Sequence, residues 1–284
     1  MKSIVVTGVS TGIGYGATRV LIDQGLHVFG SVRKQADADR LAAEFGQNFT
    51  PLLFDVTDEA AIGRAALEVR ETLNGGKLFG LVNNAGVAAP GPMLEMDPRE
   101  FRQQLAINLE GPFLVVQAFA PLLGADDSLK GEPGRIVNIS SVAGVRALPF
   151  LGAYAASKFG LEGYSEALRR ELLLFGIDVI VIGPGPVKTS IWDKAEEIDT
   201  SRYENSPYGP LLKGFQEAFV IKGRDGYSQE RLGKLIHKAL TTPRPRVRYA
   251  AVKSGIAEKL MLALAPPRVI DRVIGKAVGL LPGK

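Results

Sequence analysis

Thr7-Gly8-Val9-Ser10-Thr11-Gly12-Ile13-Gly14 follows directly on the apolar run Ile4-Val5-Val6 near the start of the chain. A β-branched run of this kind reads as a strand. The glycines after it read as a tight turn into a helix running from about Ile13 to Gln24. Gly8, Gly12 and Gly14 let the backbone turn sharply and approach a ligand, and the helix N-terminus that follows suits phosphate groups. Short apolar runs then recur at 26–32, 49–54, 78–83, 135–140, 177–182 and 246–252, with helix-length amphipathic stretches between them. Asp58 is placed to cap a helix reaching about Leu73. Asp97-Pro98-Arg99-Glu100 offers a cap, a first-turn proline and an acid for a helix reaching about Leu123. Gly25 and Gly46 stand where helices should end. Strand–helix alternation of this sort predicts an α/β fold with a doubly wound parallel sheet of about seven strands.

Composition narrows the function classes. The chain has 284 residues, 46% hydrophobic and 23% charged, which suits one large α/β domain and argues against disorder. It holds no cysteine and two histidines, so a disulfide framework, thiolate chemistry and a structural zinc site are not expected. The N-terminal run leads straight into the glycine turn and is expected to be a first strand and not a signal peptide. No run approaches the ~20 consecutive apolar residues of a bilayer span, and a cytoplasmic location is expected. Residues 243–284 carry nine Lys/Arg against two Asp/Glu, a net +7 that leaves −3 for the rest of the +4 chain. A basic helical face exposed to solvent explains this tail more simply than a nucleic-acid arm.

Ligands of an open parallel sheet bind outside the C-terminal ends of its strands, so the residues at those ends are candidates. They are the glycine turn, Arg33, Asp55-Val56, Asn83-Asn84-Ala85-Gly86, Ser140-Ser141 and Pro184-Gly185-Pro186-Val187-Lys188-Thr189. Six polar or small strand ends in succession are hard to attribute to turn chemistry alone. Tyr154 and Lys158 lie four apart on a helix-like stretch, and Ser141 lies thirteen residues before the tyrosine.

In this set of motifs the chain resembles the short-chain dehydrogenase/reductase family, in the group with a Thr-Gly-x-x-x-Gly-x-Gly turn. The resemblance covers about residues 3–190 and carries five motifs in order: Thr7 to Gly14, Asn83 to Gly86, Asn108, Ser141 with Tyr154 and Lys158, and Pro184-Gly185 followed by Thr189. It implies a Rossmann-type fold, a nicotinamide cofactor and hydride transfer between that cofactor and an alcohol or ketone. The catalytic set it implies is Asn108, Ser141, Tyr154 and Lys158. Tyr154 would donate the proton, and Lys158 one helical turn away would draw its pKa down. Ser141 would hold the substrate oxygen, and Asn108 would hold a water behind the lysine. The implied cofactor residues are Gly8, Ser10, Thr11, Gly12, Ile13, Gly14, Arg33, Asp55, Val56, Asn83, Ala85, Gly86, Tyr154, Lys158, Pro184, Gly185, Val187 and Thr189.

The second strand ends without an acid until Asp37. Arg33 is therefore expected to meet a 2′-phosphate, favouring NADP(H) with NAD(H) possible. The second strand and Pro266-Pro267-Arg268 are similar to the steroid 17β-dehydrogenase and retinol dehydrogenase branch, which implies a bulky apolar substrate. Residues 1–252 are expected to form the catalytic domain and 253–284 a helical extension. The stretch 184–227, rich in proline and glycine and holding Trp192, is expected to be a substrate lid. The family pairs through helices that fall here at about 98–123 and 152–175, so a homodimer or homotetramer is expected. Two other readings compete. A silent cofactor sensor would not need all four catalytic residues. A peripheral membrane enzyme would use the apolar and basic stretches 254–265 and 269–281.

Overall fold

The computed structural model of the chain describes residues 1–188, 200–252 and 265–281. Seven parallel strands form one sheet in the order β3-β2-β1-β4-β5-β6-β7. They are β1 Ser3–Val6, β2 His27–Val32, β3 Phe49–Leu53, β4 Gly80–Asn83, β5 Arg135–Ile139, β6 Asp178–Pro184 and β7 Arg248–Ala251. The helices are α1 Gly12–Asp23, α2 Gln35–Phe45, α3 Glu59–Leu73, α4 Pro98–Leu105, α5 Gly111–Ala120, α6 Gly152–Glu171, α7 Gly209–Arg224, α8 Gln229–Thr241 and α9 Pro267–Val278.

Alternation along each strand sends neighbouring side chains to opposite faces, and each face builds its own core. Val5, Phe29, Leu81, Ile136 and Val179 pack with residues of α3, α5 and α6. Ile4, Val6, Val28, Val82, Val137 and Ile180 pack under α1 and α8, against Leu21, Leu232 and Ile236. The near-continuous apolar runs noted in the sequence are what a sheet covered on both faces needs. The expected α1, α3 and α4 starts are present, with Asp58 accepting from Ala61 N–H at 2.9 Å and Asp97 from Arg99 N–H at 2.8 Å.

One expectation changes. Residues Pro98–Ala125 form one helical stretch long and apolar enough to cross a membrane by length and composition. Scattered polar residues hide this from a reading of consecutive apolar residues. The stretch is a core element of the domain: Val115, Val116, Phe119, Leu122 and Leu123 are all buried in the first core. It is also interrupted by π-helical turns at Ala106–Glu110 and Pro121–Ala125. Residues 200–227 are part of the stretch expected as a lid. They hold α7, whose Pro210 lies in the first turn, where a missing N–H costs nothing.

The strand order reverses between β1 and β4, and the crevice beyond their C-terminal ends is the position where such sheets bind ligands.

Candidate active site

The turn after β1 is shaped by backbone freedom and locked by side chains. Gly8 and Gly12 have φ of +69° and +68°, a region open to glycine at little cost. A Cβ on Gly14 would stand 2.3 Å from the Gly8 carbonyl oxygen and 2.5 Å from Asn84 Nδ2. Asn84 Nδ2 donates to the Thr7 and Gly8 carbonyls at 2.9 and 3.0 Å. The Thr7 hydroxyl accepts from the Asn84 and Ala85 amides, each at 3.0 Å. Gly8 N–H donates to Ser31 Oγ at 3.0 Å. The ends of β1, β2 and β4 are thereby tied into one rim. Thr7 and Asn84 lay within the sequence motifs without a role of their own, and Ser31 is a rim residue that sequence reasoning did not single out. Their neighbours in the motifs were the available signal.

Asn83 behaves differently from its neighbour. It is buried, and its Nδ2 donates to Asn138 Oδ1 at 2.9 Å, while Asn138 Nδ2 donates to Ser165 Oγ at 2.8 Å. Its side chain is committed to the sheet interior and not to the crevice. Ala85 and Gly86 remain on the rim.

The rim fits a dinucleotide phosphate. Thr11 occupies the N-cap of α1 without a side-chain cap, and the first turn carries no acid. The leading N–H groups of α1 thus meet no side-chain cap, and nothing there repels an anion. Ser10 and Thr11 flank this end. Ile13 packs against the second core.

Arg33 and Asp55, read separately in the sequence, face each other at 3.6 Å. Burial pushes the Asp55 carboxyl up, but the Thr57 amide and hydroxyl and the Arg33 charge outweigh it and hold the group below its ordinary range. The Arg33 side chain is largely exposed. Val56 is buried against Gly111. At the end of β6, Gly185 N–H donates to the Ala251 carbonyl at 2.8 Å, and Val187 bridges to Tyr227, so Pro184, Gly185 and Val187 line a fixed edge. Thr189 and Trp192 lie outside the described residues.

Tyr154 and Lys158 come one turn apart from α6, with the ammonium 5.9 Å from the centre of the tyrosine ring. The Tyr154 hydroxyl is hydrogen-bonded to Ser141. Ser141 Oγ also accepts from Ala143 N–H at 3.1 Å, which fixes the short turn after β5. Ser140 is buried with its Oγ unpartnered among the described residues, so Ser141 is the serine that meets the tyrosine.

The charge states differ from the sequence expectation. Burial raises the Tyr154 pKa above its ordinary value, and the Ser141 hydrogen bond offsets only part of this. Lys158 is buried and donates to the Ile139 carbonyl at 2.9 Å. Burial lowers its pKa to about 8, against the opposing field of Glu162. Desolvation thus pushes each group toward its neutral form, the tyrosine upward and the lysine downward.

Asn108 sits in the first π-helical turn and is fully buried. Its Nδ2 donates to the Val87 carbonyl at 2.8 Å and to Ser157 Oγ at 3.0 Å, and its Oδ1 accepts from Val87 N–H at 2.9 Å. A Cβ on Gly86 would lie 3.1 Å from Asn108 Oδ1 and 3.7 Å from Lys158 Nζ. The side chain seen here braces the segment after β4 over the lysine. On the far side, Phe150, Tyr203 and Leu212 form a third apolar cluster with Tyr208, Leu211 and Phe215. Phe150, two residues before the start of α6, packs against Tyr208 and Phe215, so α7 and the 200–208 segment meet the chain just before that helix.

Comparison with known proteins agrees with this geometry. The short chain dehydrogenase family model matches residues 2–199. The NADPH-dependent 3-dehydrocapnine reductase of Ornithobacterium rhinotracheale is 36% identical over 276 residues, covering 97% of each chain. Retinol dehydrogenase 7 of Rattus norvegicus is 30% identical over 287 residues, covering 96% of this chain and 87% of its own. A short-chain dehydrogenase from Streptomyces avermitilis superposes with a TM-score of 0.76 at 26% identity, covering 98% of this chain and 97% of its own. Motif order, strand order and whole-length likeness converge, and the chain belongs to the short-chain dehydrogenase family of oxidoreductases, near its retinol dehydrogenase-like members.

Proposed function

We propose that this oxidoreductase reduces a bulky apolar ketone to an alcohol, with NADP(H) preferred and NAD(H) accepted less well. The observation that carries the reading is the Tyr154 hydroxyl hydrogen-bonded to Ser141, one helical turn from the buried Lys158. The cofactor supplies the hydride. Gly8, Ser10, Thr11, Gly12, Ile13 and Gly14 cradle its pyrophosphate, Arg33 meets a 2′-phosphate, and Asp55 and Val56 border the adenine. Ala85, Gly86, Pro184, Gly185, Val187 and Thr189 line the nicotinamide side. Asn83 contributes through its backbone, since its side chain is engaged elsewhere.

Ser141 orients the carbonyl oxygen and Tyr154 donates the proton as negative charge develops there. Lys158 stabilises the resulting phenolate, and Asn108 keeps the segment over the lysine in place and takes part in the proton relay. The apolar cluster around Phe150, Tyr203 and Leu212 supports a large apolar substrate, with 184–227 acting as its lid on the 1–252 domain and 253–284 as an extension. The name of the Ornithobacterium relative supports both NADPH and the reductive direction. Leu105, Leu109, Phe113 and Tyr164 form an apolar groove on α4–α6, which supports pairing of subunits. The deciding experiment incubates the purified protein with NADPH or NADH and ketones of graded apolar size. Turnover should rise with bulk and favour NADPH. NADPH binding without turnover of any ketone would instead identify a sensor.

A further inference from the structure

We infer that Glu162 and Arg248 form a positioning pair that sets the charge state and seat of Lys158. Arg248 reaches from β7 to Glu162 on α6 in a two-pronged ion pair, with Nε to Oε2 and Oε1 at 3.0 and 3.2 Å and a terminal nitrogen to Oε1 at 3.0 Å. The pair is mostly shielded, with side chains 29% and 17% exposed, whereas Arg170–Glu166 on the outside of the same helix is 62% and 55% exposed. A two-pronged, shielded pair is the kind whose geometry holds.

The surroundings are shaped for it. A Cβ on Gly183 would stand 2.4 Å from the Arg248 guanidinium and 3.4 Å from the Ser141 carbonyl oxygen. A Cβ on Gly144 would stand 3.0 Å from the Lys158 carbonyl oxygen and 3.1 Å from Glu162 Cγ. The pair is thus clasped between the end of β6, the serine turn and the helix that carries Lys158. Glu162 lies one turn beyond Lys158, within reach of its charge. The titratable and charged groups around that ammonium are Tyr154 and Glu162 on its own helix and, through Glu162, Arg248 from β7. β5 and the segment after β4 present the neutral Ile139 carbonyl, Gly86 and Asn108. With Arg248 in place the carboxylate field at Lys158 is partly cancelled. Without Arg248 the lysine should hold its proton to higher pH, and without the carboxylate it should release it at lower pH.

The test rests on the reading of Lys158 as the cation beside Tyr154. The pH dependence of ketone reduction and of the NADPH dissociation constant, by fluorescence titration, is measured for the wild type, Lys158→Ala, Glu162→Gln, Arg248→Met and Arg248→Lys. The wild type should lose activity and affinity as pH rises through about 8. Glu162→Gln should move that limb down and Arg248→Met up, each by roughly half a unit or more. Arg248→Lys should stay near the wild type. Shifts in the same direction, or none, in variants that melt cooperatively overturn the inference. Should Arg248→Met fail to fold, the isosteric Glu162→Gln decides alone, and an unmoved limb overturns it. A limb that survives in Lys158→Ala overturns the reading of Lys158 instead.

Discussion

Gly14→Ala tests whether the rim between β1 and β4 is the cofactor cradle. The added Cβ would sit 2.3 Å from the Gly8 carbonyl oxygen, where ordinary contact begins near 3.4 Å, so that carbonyl must retreat by about 1 Å. The same Cβ would lie 2.5 Å from Asn84 Nδ2, which holds the turn through two hydrogen bonds. Overpacking costs about 1–3 kcal/mol, and each strained hydrogen bond about 0.5–1.5 kcal/mol. Alanine recovers about 0.5–1 kcal/mol over glycine within a helix. The net loss is roughly 1–5 kcal/mol. At about 3 kcal/mol the melting temperature of a chain this size falls by roughly 6–12 °C. Because the displaced atoms are the turn itself, NADPH affinity should fall by tenfold or more, beyond what the melting shift alone implies. Gly63→Ala on α3, where a Cβ meets nothing within 4 Å, is the control and should keep both properties. Thermal melts and NADPH fluorescence titrations read the outcome. A Gly14→Ala protein that binds NADPH with full affinity would refute the assignment of the cradle.

Tyr154→Phe should cut kcat about 10²–10⁴-fold with the NADPH dissociation constant nearly unchanged, and a near wild-type kcat would reassign the proton donor. Arg33→Ala should weaken NADPH about tenfold or more while sparing NADH, since charge-assisted bonds contribute about 1.5–3 kcal/mol; parallel titrations check this. Reduction should decline as pH rises through about 8, because burial lowers the Lys158 pKa to that value and the charge is lost there; a rate flat to pH 10 contradicts it. Leu212→Ala should lower stability by about 2–5 kcal/mol and raise KM for apolar ketones more than for small ones, because Leu212 is fully buried in the cluster beside Phe150.

The fold was legible because its signals are local. Alternating apolar runs and helix caps such as Asp58 and Asp97 act within a few residues, and all seven strands fall within about two residues of their expected ends. The glycine spacing was equally direct. What escaped depends on distant packing. Asn83 and Asn84 are adjacent in sequence, yet strand alternation sends one into the sheet and the other onto the turn. The Arg33–Asp55 contact joins two strand ends twenty-two residues apart. The helix α7 inside the stretch expected as a lid, with Pro210 in its first turn, was not read from the sequence. The displaced pKa values of Tyr154 and Lys158 follow from how much of the domain closes over them, which no spacing encodes.

In the proposed reaction, those two displacements account for how the pair would work. An exposed lysine beside a tyrosine would lower its pKa and leave part of it ionised, unable to donate. Here burial keeps Tyr154 protonated at neutral pH while Lys158, with a pKa of about 8, is still mainly charged. The cation therefore acts little on the neutral phenol and strongly on the phenolate that forms as the proton leaves. At 5.9 Å from the ring centre, with an effective dielectric near 20, that attraction is about 3 kcal/mol, or roughly a hundredfold in rate. Stabilisation that appears only as charge develops accelerates the step, whereas the same energy in the resting state would not. The Ser141 hydrogen bond to Tyr154 works the same way, since it favours the charged form. Removing Lys158's charge above pH 8 then costs the transition state while leaving the donor's proton in place, which is why the rate should fall on the alkaline side well below the titration of the tyrosine.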